Sequence, residues 1–171
     1  ELHSKDVDRR RRCVHLLSTL FGQNRASSTF PEIPQTDAKK RADLFTYPSL
    51  MADFIARIRD SDPKIRITLL GASESLMNLY PALHDELSNR VVERILDKVD
   101  DVRLAAIEAA SRITPLTAHI LQQIAGRVLD RKIGVRKAAV QTLVNSYCSS
   151  ASFECDRIPQ SLLHAYPVLR S

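Results

Sequence analysis

The chain has 171 residues, 44% hydrophobic and 26% charged, a composition that suits a folded domain with a substantial core. Four glycines, 5% aromatic residues and no tryptophan argue against an all-β fold, and the sequence has no apolar run of the ~18 residues that a membrane-spanning helix needs. A net charge of +5 and a pI near 9.3 permit an acidic or nucleic-acid partner without demanding one.

The first predicted element, Asp6 to Phe21, reads as the second helix of an incomplete repeat (residues 1–21), with Arg10 in the place of the second arginine of a pattern that recurs along the chain and Cys13, Leu16, Leu17 and Leu20 as its apolar stripe. The run Arg9 to Arg12 points around the whole helix. Some of its arginines are therefore expected to lay their stems on the packed side and keep their charged heads in water; a phosphate-binding patch is the rarer alternative. Residues 22–46, with Ser27, Ser28, Thr29, Pro31 and Pro34 and no helical stripe, read as a loop insertion. Phosphorylation there at Ser27, Ser28, Thr29 or Thr36 would place negative charge near Lys39, Lys40 and Arg41.

Helices are expected next at Pro48–Arg59, Pro63–Leu79, Leu83–Lys98, Asp101–Thr114, Leu116–Leu129 and Gly134–Ser146. Asp62 before Pro63 is a start signal, because the carboxylate caps free amides and proline suits the first turn. Gly71, inside a helix, predicts a neighbouring helix pressed closely against it. Residues 149–158 form a polar loop, and Pro159 to Tyr166 opens another helix.

One pattern recurs through these helices: Arg57, Asp60, Arg66, then Arg94, Asp97, Arg103, then Arg127, Asp130, Arg136, at periods of 37 and 33 residues. That period is the signature of stacked helical units. Counting back from each Asp by two, six and ten finds an apolar stripe every time, and counting forward from Val102 finds a second one of small residues, Ala105, Ala106, Ala109 and Ala110. The fold class is therefore all-α, an α-solenoid of antiparallel helix pairs, with repeats at 47–79, 83–114 and 116–148 and the start of a further one at 159–171. Since the pattern is entered and left part-way, the chain is expected to be a segment of a longer protein. Asp60, Arg66, Asp97, Arg103, Asp130 and Arg136 are expected to form a structural ladder between units.

Catalytic and cofactor signals do not emerge. The five histidines have no metal-ligand spacing, and the three cysteines (Cys13, Cys148, Cys155) suit a reducing compartment better than a disulfide framework or a zinc site. Glycines only at 22, 71, 126 and 134 leave no phosphate-binding loop or nucleophile elbow. No enzyme, cofactor or small-molecule substrate is expected. Around the last turn, Arg127, Arg131, Lys132 and Lys137, with Arg136, face the single Asp130. Those four are the candidate contact for an anionic partner.

At that turn the run Arg127-Val-Leu-Asp-Arg-Lys-Ile-Gly-Val-Arg-Lys-Ala-Ala-Val, ending in Leu143 and Tyr147, resembles the HEAT repeats of the cohesin-associated "precocious dissociation of sisters" (Pds5) family. Val14 to Phe21, Tyr47 to Leu50, Asp62 to Ile67 and Ser161 to Tyr166 look like the same family in the same order. The resemblance implies a nuclear, chromatin-associated, non-enzymatic scaffold acting in sister chromatid cohesion. Its implied partners are the cohesin kleisin subunit, the wings-apart-like release factor and the cohesin acetyltransferase. The 22–46 insertion is longer than that family leads one to expect. Direct, non-specific DNA binding by a basic solenoid is the alternative function.

Overall fold

A computed structural model of the chain describes residues 2–22, 48–113 and 116–149. Among them lie seven α-helices and no strand: α1 Val7–Gly22, α2 Pro48–Ala56, α3 Pro63–Leu79, α4 His84–Ile95, α5 Asp100–Ala110, α6 Ala118–Ala125 and α7 Ile133–Ser149. Single 3-10 turns, Arg57–Arg59 and Pro81–Leu83, extend α2 and precede α4. The expected loop insertion beyond Gly22 and the expected helix at Pro159 to Tyr166 lie outside the described residues.

Helix starts follow the local chemistry. Asp62 caps α3 by accepting the Lys64 amide at 3.0 Å with Pro63 in the first turn, and Thr117 caps α6 by accepting the Ile120 amide at 3.3 Å. No side chain caps α5, but Asp100 and Asp101 put negative charge at its amino end, where the helix dipole favours it.

The chain divides within α4 into two compact units, Glu1–Leu87 and Ser88–Ser171. In the first, α1 lies on α3, and the 3-10 turn after α2 closes onto α3 as well. Val14, Phe54, Ile58, Ile65, Leu69 and Leu76 are its buried side chains of greatest consequence. In the second, α5 and α6 both pack on α7. Of the small-residue stripe, Ala106, Ala109 and Ala110 are sealed from solvent there and Ala105 is only partly buried; Val102, Ile124, Val135 and Ala139 are buried with them.

Two expectations fail. Leu16 is 65% exposed, and the buried line of α1 runs instead through Arg10 and Val14. Leu16 stands two residues past Val14, about 200° around the helix, so one buried position excludes the other. Gly71 is exposed, and a methyl group at its Cβ position would meet nothing within 4 Å. No neighbour needs the space.

That open surface generates a prediction. Gly71→Ala should stabilise the chain by about 0.5–1 kcal/mol through lower unfolded-state entropy and better helix propensity. A melting temperature below the parent's would mean that something does cover Gly71.

Candidate functional site: the arginine and aspartate turns

The recurring pattern forms one device built three times. In each turn the Asp carboxylate accepts the amide two residues on, Asp60 from Asp62, Asp97 from Val99 and Asp130 from Lys132, every time at 3.0 Å. The arginine three residues before approaches the other carboxylate oxygen: Arg57 to Asp60 at 3.3 Å, Arg94 to Asp97 at 3.2 Å and Arg127 to Asp130 at 3.6 Å. The arginine six residues after lies in the first turn of the next helix and donates through Nη1 to the turn's own carbonyls. Arg66 reaches the Asp60 and Ser61 oxygens at 2.6 and 3.1 Å, Arg103 those of Asp97 and Lys98 at 2.9 and 3.4 Å, and Arg136 those of Asp130 and Arg131 at 2.9 and 3.2 Å. Turn groups that a helix end leaves unpaired are thereby satisfied.

A second edge of the guanidinium ties one repeat to the next. Arg103 grips Asp130 with Nε and Nη2 at 2.8 and 2.7 Å, with side chains 6% and 3% exposed. Arg10 grips Asp60 in the same way at 2.9 and 3.0 Å. These paired bonds match the planar fork of arginine to the two carboxylate oxygens. They form one rung between helix pairs in each unit, Arg10 to Asp60 and Arg103 to Asp130.

In the first, incomplete repeat Arg10 acts as the second arginine, on a turn whose other member, Ser4, the sequence did not single out. Arg10 donates through Nη1 to the carbonyls of Ser4 and Lys5 at 2.8 and 3.2 Å, and the Ser4 hydroxyl oxygen accepts the Asp6 amide at 3.2 Å. Ser4 thus takes the place of the Asp, six residues before its arginine. That spacing was the available signal. Arg10 is also a correction to the expected arginine run: its charged head is buried, not held in water, because Asp60 supplies a countercharge. Arg11 bonds Asp62 and Asp8, and Arg9 sits 3.5 Å from Asp6.

The four candidate anion contacts separate into two kinds. Lys132 and Lys137 are exposed. Arg131, though 74% exposed, donates Nε and Nη2 to one oxygen of Asp100 at 3.2 and 2.8 Å, and Arg127 leans on Asp130. Asp100, unremarked in the sequence, also accepts Arg103 Nη2 at 2.9 Å and so joins the exposed arginine to the buried rung. An open depression of about 400 Å³ lies here, bordered by Lys98, Arg103, Arg127, Leu129 and Arg131.

Three carboxylates of this network, Asp60, Asp100 and Asp130, ionise more readily than usual. Burial pushes Asp130 up, but the bonds from Arg103 and the Lys132 amide outweigh it and hold the group below its ordinary 3.8. Asp60 repeats the balance, burial against Arg10, the Asp62 amide and Arg57. Asp100 is lowered chiefly by Arg131, then by Arg103, against burial. Among the described residues no group of three or more His, Cys, Asp or Glu could hold a metal ion, and no helix is long and apolar enough to cross a membrane.

Comparison with known proteins places these turns in context. The family model for the sister chromatid cohesion protein PDS5 matches residues 1–168. A chain from the solved structure "Structure of the Pds5-Scc1 complex and implications for cohesin function" is similar over 100% of this chain and 24% of its own length, with 15% identity and a TM-score of 0.67. The present chain thus spans about a quarter of that one. The likeness shows the all-α solenoid fold. No curated protein matches.

Two predictions follow from the bonding. Exchanging the charges of the rung, Arg103→Asp with Asp130→Arg, should not restore the ~3 kcal/mol or more that Asp130→Ala removes, since an aspartate at 103 cannot donate to the Asp97 carbonyl and an arginine at 130 cannot accept the Lys132 amide. Recovery in a denaturant titration would show a simple ion pair. The depressed carboxylates also set an acid limb: the unfolded chain takes up protons first, so stability is whole above about pH 4 and falls as pH drops through the folded values. Asp130→Asn should lower the melting temperature near neutrality and narrow the gap to the parent near pH 3. A gap that stays constant would contradict this account of Asp130.

Proposed function

The chain belongs to the PDS5 family, and from that membership we propose that it is a non-catalytic HEAT-type scaffold segment of a cohesin regulator, acting in sister chromatid cohesion through protein contacts. The observation that carries this reading is the bonding of the turns. Their Asp and Arg side chains, the residues nearest to an acid–base constellation, are engaged with one another and with backbone groups. An acid whose proton affinity is lowered by a fixed guanidinium suits bracing better than proton transfer at neutral pH.

By analogy with the Pds5–Scc1 complex, the cohesin kleisin is the partner inferred. The family also makes the wings-apart-like release factor and the cohesin acetyltransferase inferred partners, with chromatin in the nucleus as the setting. Direct DNA binding is the second reading. What speaks against it is the internal pairing of cations: Arg10, Arg11, Arg103 and Arg131 each face a carboxylate.

The test is binding of the 171-residue chain to recombinant cohesin kleisin and to a DNA duplex, each at about 50 and about 200 mM salt. Kleisin binding that persists, with DNA binding that falls steeply, is the expected result. Tight DNA binding without kleisin binding would reverse the assignment.

A further inference from the structure

We propose that the α4–α5 and α6–α7 turns of the second unit form a docking surface for an extended acidic peptide that presents aliphatic residues three positions apart. This rests on the protein-contact reading above and names the chemistry of the partner. Leu96 is 57% exposed and Leu129 69% exposed, large apolar side chains left in water at the residue just before the turn Asp in two successive turns. Asp97 and Asp130 themselves are withdrawn, their side chains 3% exposed in each case, while Lys98 and Arg131 follow on the outside. The surface therefore reads leucine, cation, leucine, cation.

The two turns are fixed beside each other by the Arg103 to Asp130 grip and the Arg131 to Asp100 bonds. Helices packed side by side lie ~8–10 Å apart between their axes. A polyproline-type chain advances about 3.1 Å per residue with three residues per turn, so its positions i and i+3 share a face at about 9 Å. A peptide of this geometry would lay its two aliphatic residues on Leu96 and Leu129, with acidic residues between them toward the exposed Lys98 and Arg131. A nucleic acid fits less well. Its phosphates have no use for the leucines, and no aromatic side chain borders the depression for base stacking.

The experiment is fluorescence anisotropy of the full 171-residue chain with labelled peptides built from Leu–Asp–Pro triplets. Gly–Asp–Pro triplets, which keep charge and backbone but lack the aliphatic residue, and a DNA duplex serve as comparators. Leu–Asp–Pro should bind more tightly than either. Leu96→Ser with Leu129→Ser, at exposed sites that folding does not need, should weaken it roughly tenfold, the scale of burying about one leucine. Asp100→Asn, which releases Arg131, should strengthen it. Equal affinity for the Gly–Asp–Pro peptide or the duplex, or indifference to the leucine substitutions, overturns the proposal. No binding of the Leu–Asp–Pro peptide while kleisin still binds would overturn this surface and leave the scaffold reading intact.

Discussion

The buried grip of an arginine on the aspartate of the next repeat is the constraint on which the helix pairs depend. Charges withdrawn from water cost several kcal/mol each, and a buried ion pair on its own is often no better than an apolar pair of the same size. The rung from Arg103 to Asp130 is not on its own. Asp130 also holds the Lys132 amide and Arg103 the Asp97 and Lys98 carbonyls, so each member of the pair closes a turn while it joins two turns together. An apolar substitute would leave those backbone groups without partners in a partly dry place. The chemistry at a rung is therefore indivisible: turn, helix start and repeat stacking share the same atoms.

This sharing explains why a short pattern was so legible. The requirement for Asp at one position and Arg six residues later comes from backbone geometry that is the same at every turn, so the spacing recurs without variation at Asp60, Asp97 and Asp130. Helix existence was equally readable, because the stripes around Phe54, Val91 and Ile124 obey one period. Where the reading failed, the cause lay outside any single segment. Leu16 satisfies a helical stripe on paper, but the face that α1 turns toward α3 is decided by Arg10, whose partner stands fifty residues away. Gly71 invited a packing argument that only the neighbouring helices could answer.

The candidate site was legible in part. Of the four candidate cations, Arg127 and Arg131 border one depression, but sequence counts charges by proximity along the chain and cannot see that Arg131 is answered by Asp100 from the previous turn. Nor could it show Leu96 and Leu129 in solvent, since both sit beside fully buried residues, Ile95 and Val128, in stretches whose average character is apolar. A substitute such as Ser4 escapes a search for Asp because a hydroxyl oxygen at that place also accepts the amide two residues on.

A repeat architecture separates the residues that hold it from those that face outward, and the turns show the separation at single-residue resolution. In the triplets Leu96-Asp97-Lys98 and Leu129-Asp130-Arg131 the central residue is drawn in and the flanking ones are left out. The inward residue is held to one identity by the bonds it makes. Three of the flanking side chains carry no such obligation to the fold: Leu96 and Leu129 stand in water and Lys98 is exposed, while Arg131 bonds Asp100. An exposed leucine taken singly needs no explanation, but the same placement in consecutive turns, beside cations, gives a surface whose features repeat with the fold's own spacing. Recognition by such an edge would depend on register as much as on charge, and a partner would have to match the distance between turns that the arginine rungs establish.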